Sequence, residues 1–106
     1  MTTPEPQSLA CRLDALTPAQ RKRHQEIGKQ LRKAIRQVEE LPDGYAFRTT
    51  SDPALFVAAA EFITLESRCC AFYRFRLEQE PHEGPMWLRV TGPQEAKSFI
   101  KAALAP

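Results

Sequence analysis

The sequence predicts an α+β domain: a three-stranded, mainly antiparallel sheet with helices packed on one face, in the order α-β-α-β-β-α. Three observations predict it. Apolar residues recur at helical spacing from residue 18 to about 40. Residues 53–68 are apolar on nearly every side, as in a buried helix. Three short stretches, 45–50, 72–80 and 86–91, alternate in polarity with the period of a strand.

Taken in order, residues 1–10 hold two prolines and few large apolar groups, and read as a loose tail. Residues 11–106 read as a single domain, with Leu13 and Leu16 as apolar anchors before the first helix. Thr17-Pro18-Ala19-Gln20 is a helix start, with Thr17 as N-cap, Pro18 in the first turn and Gln20 closing a capping box. On that helix Gln20, His24, Ile27, Leu31, Ala34, Ile35 and Val38 share one side. Arg21, Lys22, Lys29, Arg32, Lys33 and Arg36 take the other and should be exposed. Pro42-Asp43-Gly44 is a turn into the first strand, 45–50. Asp52-Pro53 starts the apolar helix, which should end at Cys69-Cys70. The second strand presents Tyr73, Phe75 and Leu77, and a loop at 81–85 returns the chain into the third, which presents Met86, Leu88 and Val90. Gly92-Pro93 breaks that strand before a last helix at 94–104. The apolar helix should join its flanking strands by a right-handed crossover. Leu55, Val57, Phe62, Ile63, Phe75, Leu88 and Phe99 are the expected core.

At 106 residues the chain has the length of one domain. Fifteen Lys and Arg against thirteen Asp and Glu give +2, which excludes a wholesale polyanion-binding composition. Residues 18–38 hold seven Lys or Arg and one Glu, so a local +6 leaves −4 elsewhere. Such a face is usually just solvated, though it suits phosphates, an acidic partner or the acidic half of a second copy. Nucleic acid is not favoured, because no helix-turn-helix spacing accompanies it and the strand aromatics are needed for the core. Sheet edges or charge-complementary surfaces would serve a homodimer. The longest apolar run, Ala54 to Ala60, is too short to span a bilayer. The first ten residues lack the features of a secretory signal, so a cytoplasmic protein is expected, in which three cysteines do not imply a disulfide framework.

The cysteines are the main chemical clue. Free Cys is often simply buried, and packing is one reading of Cys69-Cys70. On a continuing helix, however, adjacent side chains point about 100° apart, so one packing face does not use both. Two thiolates at one place suit a soft ion. With Cys11 nearby the sulfurs would form a trigonal site for Cu(I), Hg(II) or As(III), and an incomplete one for Zn(II). Glu66, one turn before the pair, and His24, on the apolar side of the first helix, are candidates to complete it. For this to happen, the segment before Thr17 must fold back toward Cys69 and Cys70. No C-x-x-C, G-x-S-x-G, P-loop or dinucleotide fingerprint is present. His82, in the loop, reads as solvated. The sequence therefore points first to soft-metal or metalloid binding through Cys11, Cys69 and Cys70, as a buffer, carrier or sensor accessory rather than an enzyme. The alternatives are a thiol redox protein or enzyme using Cys69 or Cys70, and a nucleic-acid or protein-binding module using the basic helix.

Gly44-Tyr45-Ala46-Phe47-Arg48, the run Ala60-Glu61-Phe62-Ile63-x-Leu65-Glu66-x-Arg68-Cys69-Cys70-x-Phe72, and Gly84-Pro85-x-Trp87-Leu88-Arg89-x-Thr91-Gly92-Pro93 together resemble a family of small, uncharacterised bacterial proteins. The resemblance covers about residues 11–104. Members of that family carry one cysteine near the start and a Cys-Cys-Pro-Phe segment, where this chain has Ala71 in the proline position. The resemblance implies no activity. It implies that Cys11, Cys69 and Cys70 match a recurring pattern.

Overall fold

The computed structural model describes residues 12–104. Its elements are α1 (Pro18–Ala34), β1 (Ile35–Leu41), β2 (Gly44–Thr49), α2 (Pro53–Cys69), β3 (Arg74–Gln79), β4 (Met86–Thr91) and α3 (Lys97–Leu104), with 3-10 turns at Leu13–Ala15 and Gln94–Ala96. The class is α+β, but the sheet has four strands, in the spatial order β1-β2-β4-β3, and every neighbouring pair is antiparallel. The expected order α-β-α-β-β-α is therefore corrected to α-β-β-α-β-β-α.

The difference lies in residues 35–41. They continue the helical periodicity of α1, yet the backbone turns extended at Ile35, with φ −67° and ψ 128°. Helix propensity differs among these residues by only tenths of a kcal/mol. Pairing decides the matter: Leu41 meets Gly44, Val38 meets Phe47 and Ile35 meets Thr49 across a hairpin closed at Pro42-Asp43. A helix to Glu40 would leave that edge of β2 without its ladder. Arg36 is consequently a strand residue, at the register shift between Ile35 and Gln37.

The first two helices begin where the sequence signals them, whereas the last, expected from 94, starts at Lys97 after the 3-10 turn. Thr17 caps α1 through a full capping box with Gln20, and the Asp52 side chain accepts from the Ala54 N–H at the start of α2. Strands β2 and β3, joined through α2, run parallel to each other with β4 between them. Pleating sends Phe47, Leu88, Met86 and Val90 to one face, where they pack with Ile27 and Leu31 of α1, Leu55 and Phe62 of α2 and Ile100 of α3. Arg48, Trp87 and Arg89 alternate with these residues on the opposite face, where Arg89 pairs with Glu78 and lies 5.4 Å above the Trp87 ring.

Leu55, Phe62 and Leu88 are buried as expected, and Ile63 and Phe75 are partly buried against the core. Val57 and Phe99 are not core: they are 68% and 45% exposed. The buried stripe of α2 runs through Leu55, Ala58, Ala59, Phe62, Leu65, Glu66 and Cys69, which turns Val57 outward. On α3 it is Ile100 that enters the core, and Phe99 lies beside it toward Phe72. Of the basic set, Lys22, Lys29, Arg32, Lys33 and Arg36 are exposed, while Arg21 is half-buried and donates to the Leu16 carbonyl. Among the described residues no helix is long and apolar enough to cross a membrane.

Gly44 is fixed by contact rather than by a positive φ. A Cβ there would lie 1.9 Å from the Val90 carbonyl oxygen. Gly44→Ala should therefore lower the unfolding free energy by more than about 2 kcal/mol in urea titration, because backbone must shift to admit the methyl group. The hairpin between β3 and β4 closes through the Gly84 N–H and Pro81 carbonyl, with His82 and Glu83 at φ 59° and 55°. Asn-Gly is the pair that such a turn favours. The double substitution His82→Asn, Glu83→Gly should raise stability by about 1 kcal/mol in the same titration.

Candidate metal centre

The site is built where α1 lies against α2. Residues 62, 66 and 69 stand on one face of α2, three and four apart, and His24 stands on the face of α1 that also carries Ile27, Gly28 and Leu31. The two helices are keyed together by the His24 ring stacked on Phe62, with centroids 4.8 Å apart and planes 12° from parallel. Beside this stack, Arg23 grips both oxygens of Glu61 at 3.0–3.1 Å. One turn beyond Phe62 along α2, the His24 Nε2 and Glu66 Oε1 share a hydrogen bond. It satisfies a carboxylate that is otherwise buried in the apolar face of α2.

Cys69 completes the group. One nitrogen of His24, one carboxylate oxygen of Glu66 and the Cys69 sulfur all lie within 4.8 Å of one another. Cys69 is a free cysteine, 2% exposed. Burial first, then the Glu66 carboxylate, push its thiol above the ordinary thiol range. Tyr73 borders the same space, and its hydroxyl is pushed up to about 12 by burial first and then by Glu66 and Cys69.

Cys70 stands differently from the expectation of two thiolates. It is the C-cap of α2, with φ −124° and ψ 75°, so its side chain is not held 100° around the helix from Cys69. Both cysteines are buried in one cluster with Leu16 and Leu65, and their sulfurs are 3.9 Å apart. Leaving the helix is what lets one packing region use both. Cys70 is disulfide-bonded, so it does not supply a thiolate. Cys11, expected as the third sulfur, lies outside the described residues. The fold-back of the chain before Thr17 is present from Arg12 onward: the Arg12 N–H donates to the Cys69 carbonyl at 2.6 Å, and Leu16 packs on the end of α2.

The three donors line a cavity of about 440 Å3 formed by residues of α1, α2, α3 and the sheet. His24, Glu66 and Cys69 were each legible as candidates from residue type and helical position. The cavity was not, nor was Gly28, which lines it. An unexplained glycine inside α1 was the available signal. His82 is exposed and remote from this group in the fold, at the β3–β4 turn. No protein-family model, curated protein or solved structure matches the chain.

The buried thiol and phenol have a consequence for alkaline stability. Each has a folded-state pKa above its unfolded value, so each contribution is complete at low pH and is lost as pH rises. For Tyr73 the loss should run from about pH 10 to about pH 12. It should amount to no more than roughly 2 kcal/mol, since the ring is only partly buried. Tyr73→Phe should remove that part of the decline when unfolding free energy is compared across pH 9–11. An unchanged slope in the variant would show that the phenol is not responsible.

Proposed function

We propose that this chain binds a thiophilic divalent metal ion, with Zn(II) the best match, through Cys69, His24 and Glu66. The observation that carries the reading is the convergence of a sulfur, a nitrogen and a carboxylate oxygen within 4.8 Å, all three on helices. A tetrahedral shell with bonds of about 2.0–2.3 Å sets its donors roughly 3.5 Å apart, so side-chain shifts of about 1 Å close it, with Cys69 moving in and the His24–Glu66 hydrogen bond giving way to two bonds to the ion. One soft, one intermediate and one hard donor suit Zn(II) better than Cu(I) or As(III), which prefer sulfur. Three protein ligands leave a fourth position toward the cavity, which argues for a carrier, buffer or sensor accessory over a purely structural ion.

The same three residues also resemble a nucleophile, a base and an orienting carboxylate. The Cys69 thiol speaks against that rival, because burial and Glu66 hold it protonated, whereas an activated cysteine is depressed. A bound cation reverses this balance by stabilising the thiolate directly. The basic-helix alternative rests on exposed charge alone.

Co(II) titration of the untreated protein tests the reading, since Cys69 needs no reduction. A thiolate-to-cobalt charge-transfer band should appear at one equivalent and vanish on adding Zn(II). Zn(II) uptake near pH 7 should release about one proton, from the Cys69 thiol, and weaken as pH falls. Cys69→Ser should abolish the band, and His24→Gln or Glu66→Gln should weaken Zn(II) at least about tenfold. An identical band in Cys69→Ser would sink the assignment.

A further inference from the structure

The metal donors form only part of the cavity lining, and the remainder has a chemistry of its own. Its volume of about 440 Å3 falls in the range of roughly 300–1,000 Å3 typical of small-molecule sites. Phe62, Phe75, Val90 and Ile100 give it apolar walls. Its mouth is cationic, because Lys29 and Arg32 both line it and both are exposed. Arg32 leans toward α3, with its guanidinium 3.4 Å from the Ala103 carbonyl oxygen. The negative group, Glu66, lies at the buried end.

Gly28 indicates that the space is kept open. It sits in the interior of α1, where glycine is less favourable than alanine by about 1 kcal/mol. A Cβ built there would come within 3.3 Å of Arg32 Nη1 and 3.6 Å of Phe62 Cε1, so a larger side chain would enter the space between wall and rim. Leucine, the residue that would best extend the apolar stripe of α1, would occupy it.

We propose that this cavity binds a small amphipathic organic anion: a hydrocarbon body of medium length carrying one carboxylate. The charges fix its orientation. In the metal-free protein the carboxylate stays at the mouth beside Lys29 and Arg32, because Glu66 repels it from the buried end. The hydrocarbon lies inward along Phe62, Phe75, Val90 and Ile100, where burying it is favourable in proportion to its apolar area. The site borders the proposed metal centre but uses none of its donors.

Octanoate is the probe, with octan-1-ol as its uncharged counterpart, each measured by calorimetric titration on the whole chain. Octanoate should bind saturably and raise the melting temperature, and octan-1-ol should bind at least tenfold more weakly. Lys29→Gln with Arg32→Gln should weaken octanoate about tenfold and leave octan-1-ol unchanged. Gly28→Leu should abolish binding of both. Ala103→Trp, at an exposed rim position, should do the same without touching the core, which covers the case that Gly28→Leu does not fold. Lys29→Gln with Arg32→Gln should bind Zn(II) as the parent does, since neither residue is among the metal donors, so loss of anion binding and loss of metal binding are read separately. Absence of octanoate binding, equal binding of the alcohol, or unchanged binding in Ala103→Trp would overturn the proposal.

Discussion

Glu66 stands at 7% exposure on the most apolar helix of the chain. An ionised carboxylate there, without a partner, costs several kcal/mol. His24 supplies the partner, and it does so from the other helix. The pair therefore constrains more than itself: it fixes where along α2 the helix α1 must lie, and the stacking of His24 on Phe62 fixes the rotation. Once α1 is set in that register, Ile27 and Leu31 reach the sheet side of the core, and Lys29 and Arg32 are left at the cavity mouth.

The same constraint shapes the chemistry of Cys69. Its thiol is raised by burial and by the carboxylate three residues before it, so the group is quiet as a nucleophile. A cation held by Cys69, His24 and Glu66 would turn each of these penalties around, since it neutralises the carboxylate and holds the thiolate. The cysteine beside it follows different rules. Cys70 has left the helix and is disulfide-bonded, which accounts for two adjacent cysteines being buried together without both being free thiols.

The sheet contributes the wall opposite the two helices. Its central strands, β2 and β4, carry the most buried side chains, and the close approach at Gly44 sets their separation at one end. The β1 hairpin widens the sheet without enlarging the core, since most of β1 is exposed on both faces. Lys97 of α3 pairs with Glu40 at that edge and lies over the Tyr45 ring, tying the last helix across the sheet. In this way α3 is held where Ile100 and Ala103 can line the cavity.

By itself the sequence determined the starts of the first two helices, the three strands 45–50, 72–80 and 86–91 to within two residues, and three of the residues that converge at the site. These are local matters: caps depend on neighbours three residues away, strand alternation on the next side chain, and the 66–69 spacing on one helical turn. Only the tertiary structure decided the rest. Ile35–Leu41 became a strand because β2 needed an antiparallel partner, a requirement absent from the local pattern. Val57 and Phe99 faced solvent because one helix face was already committed to the sheet. The meeting of His24 with Glu66, 42 residues apart, and the cavity they close, depend on how α1 lies on α2. That placement is set by long-range packing and by the partner a buried carboxylate requires, and no periodicity along the chain encodes it.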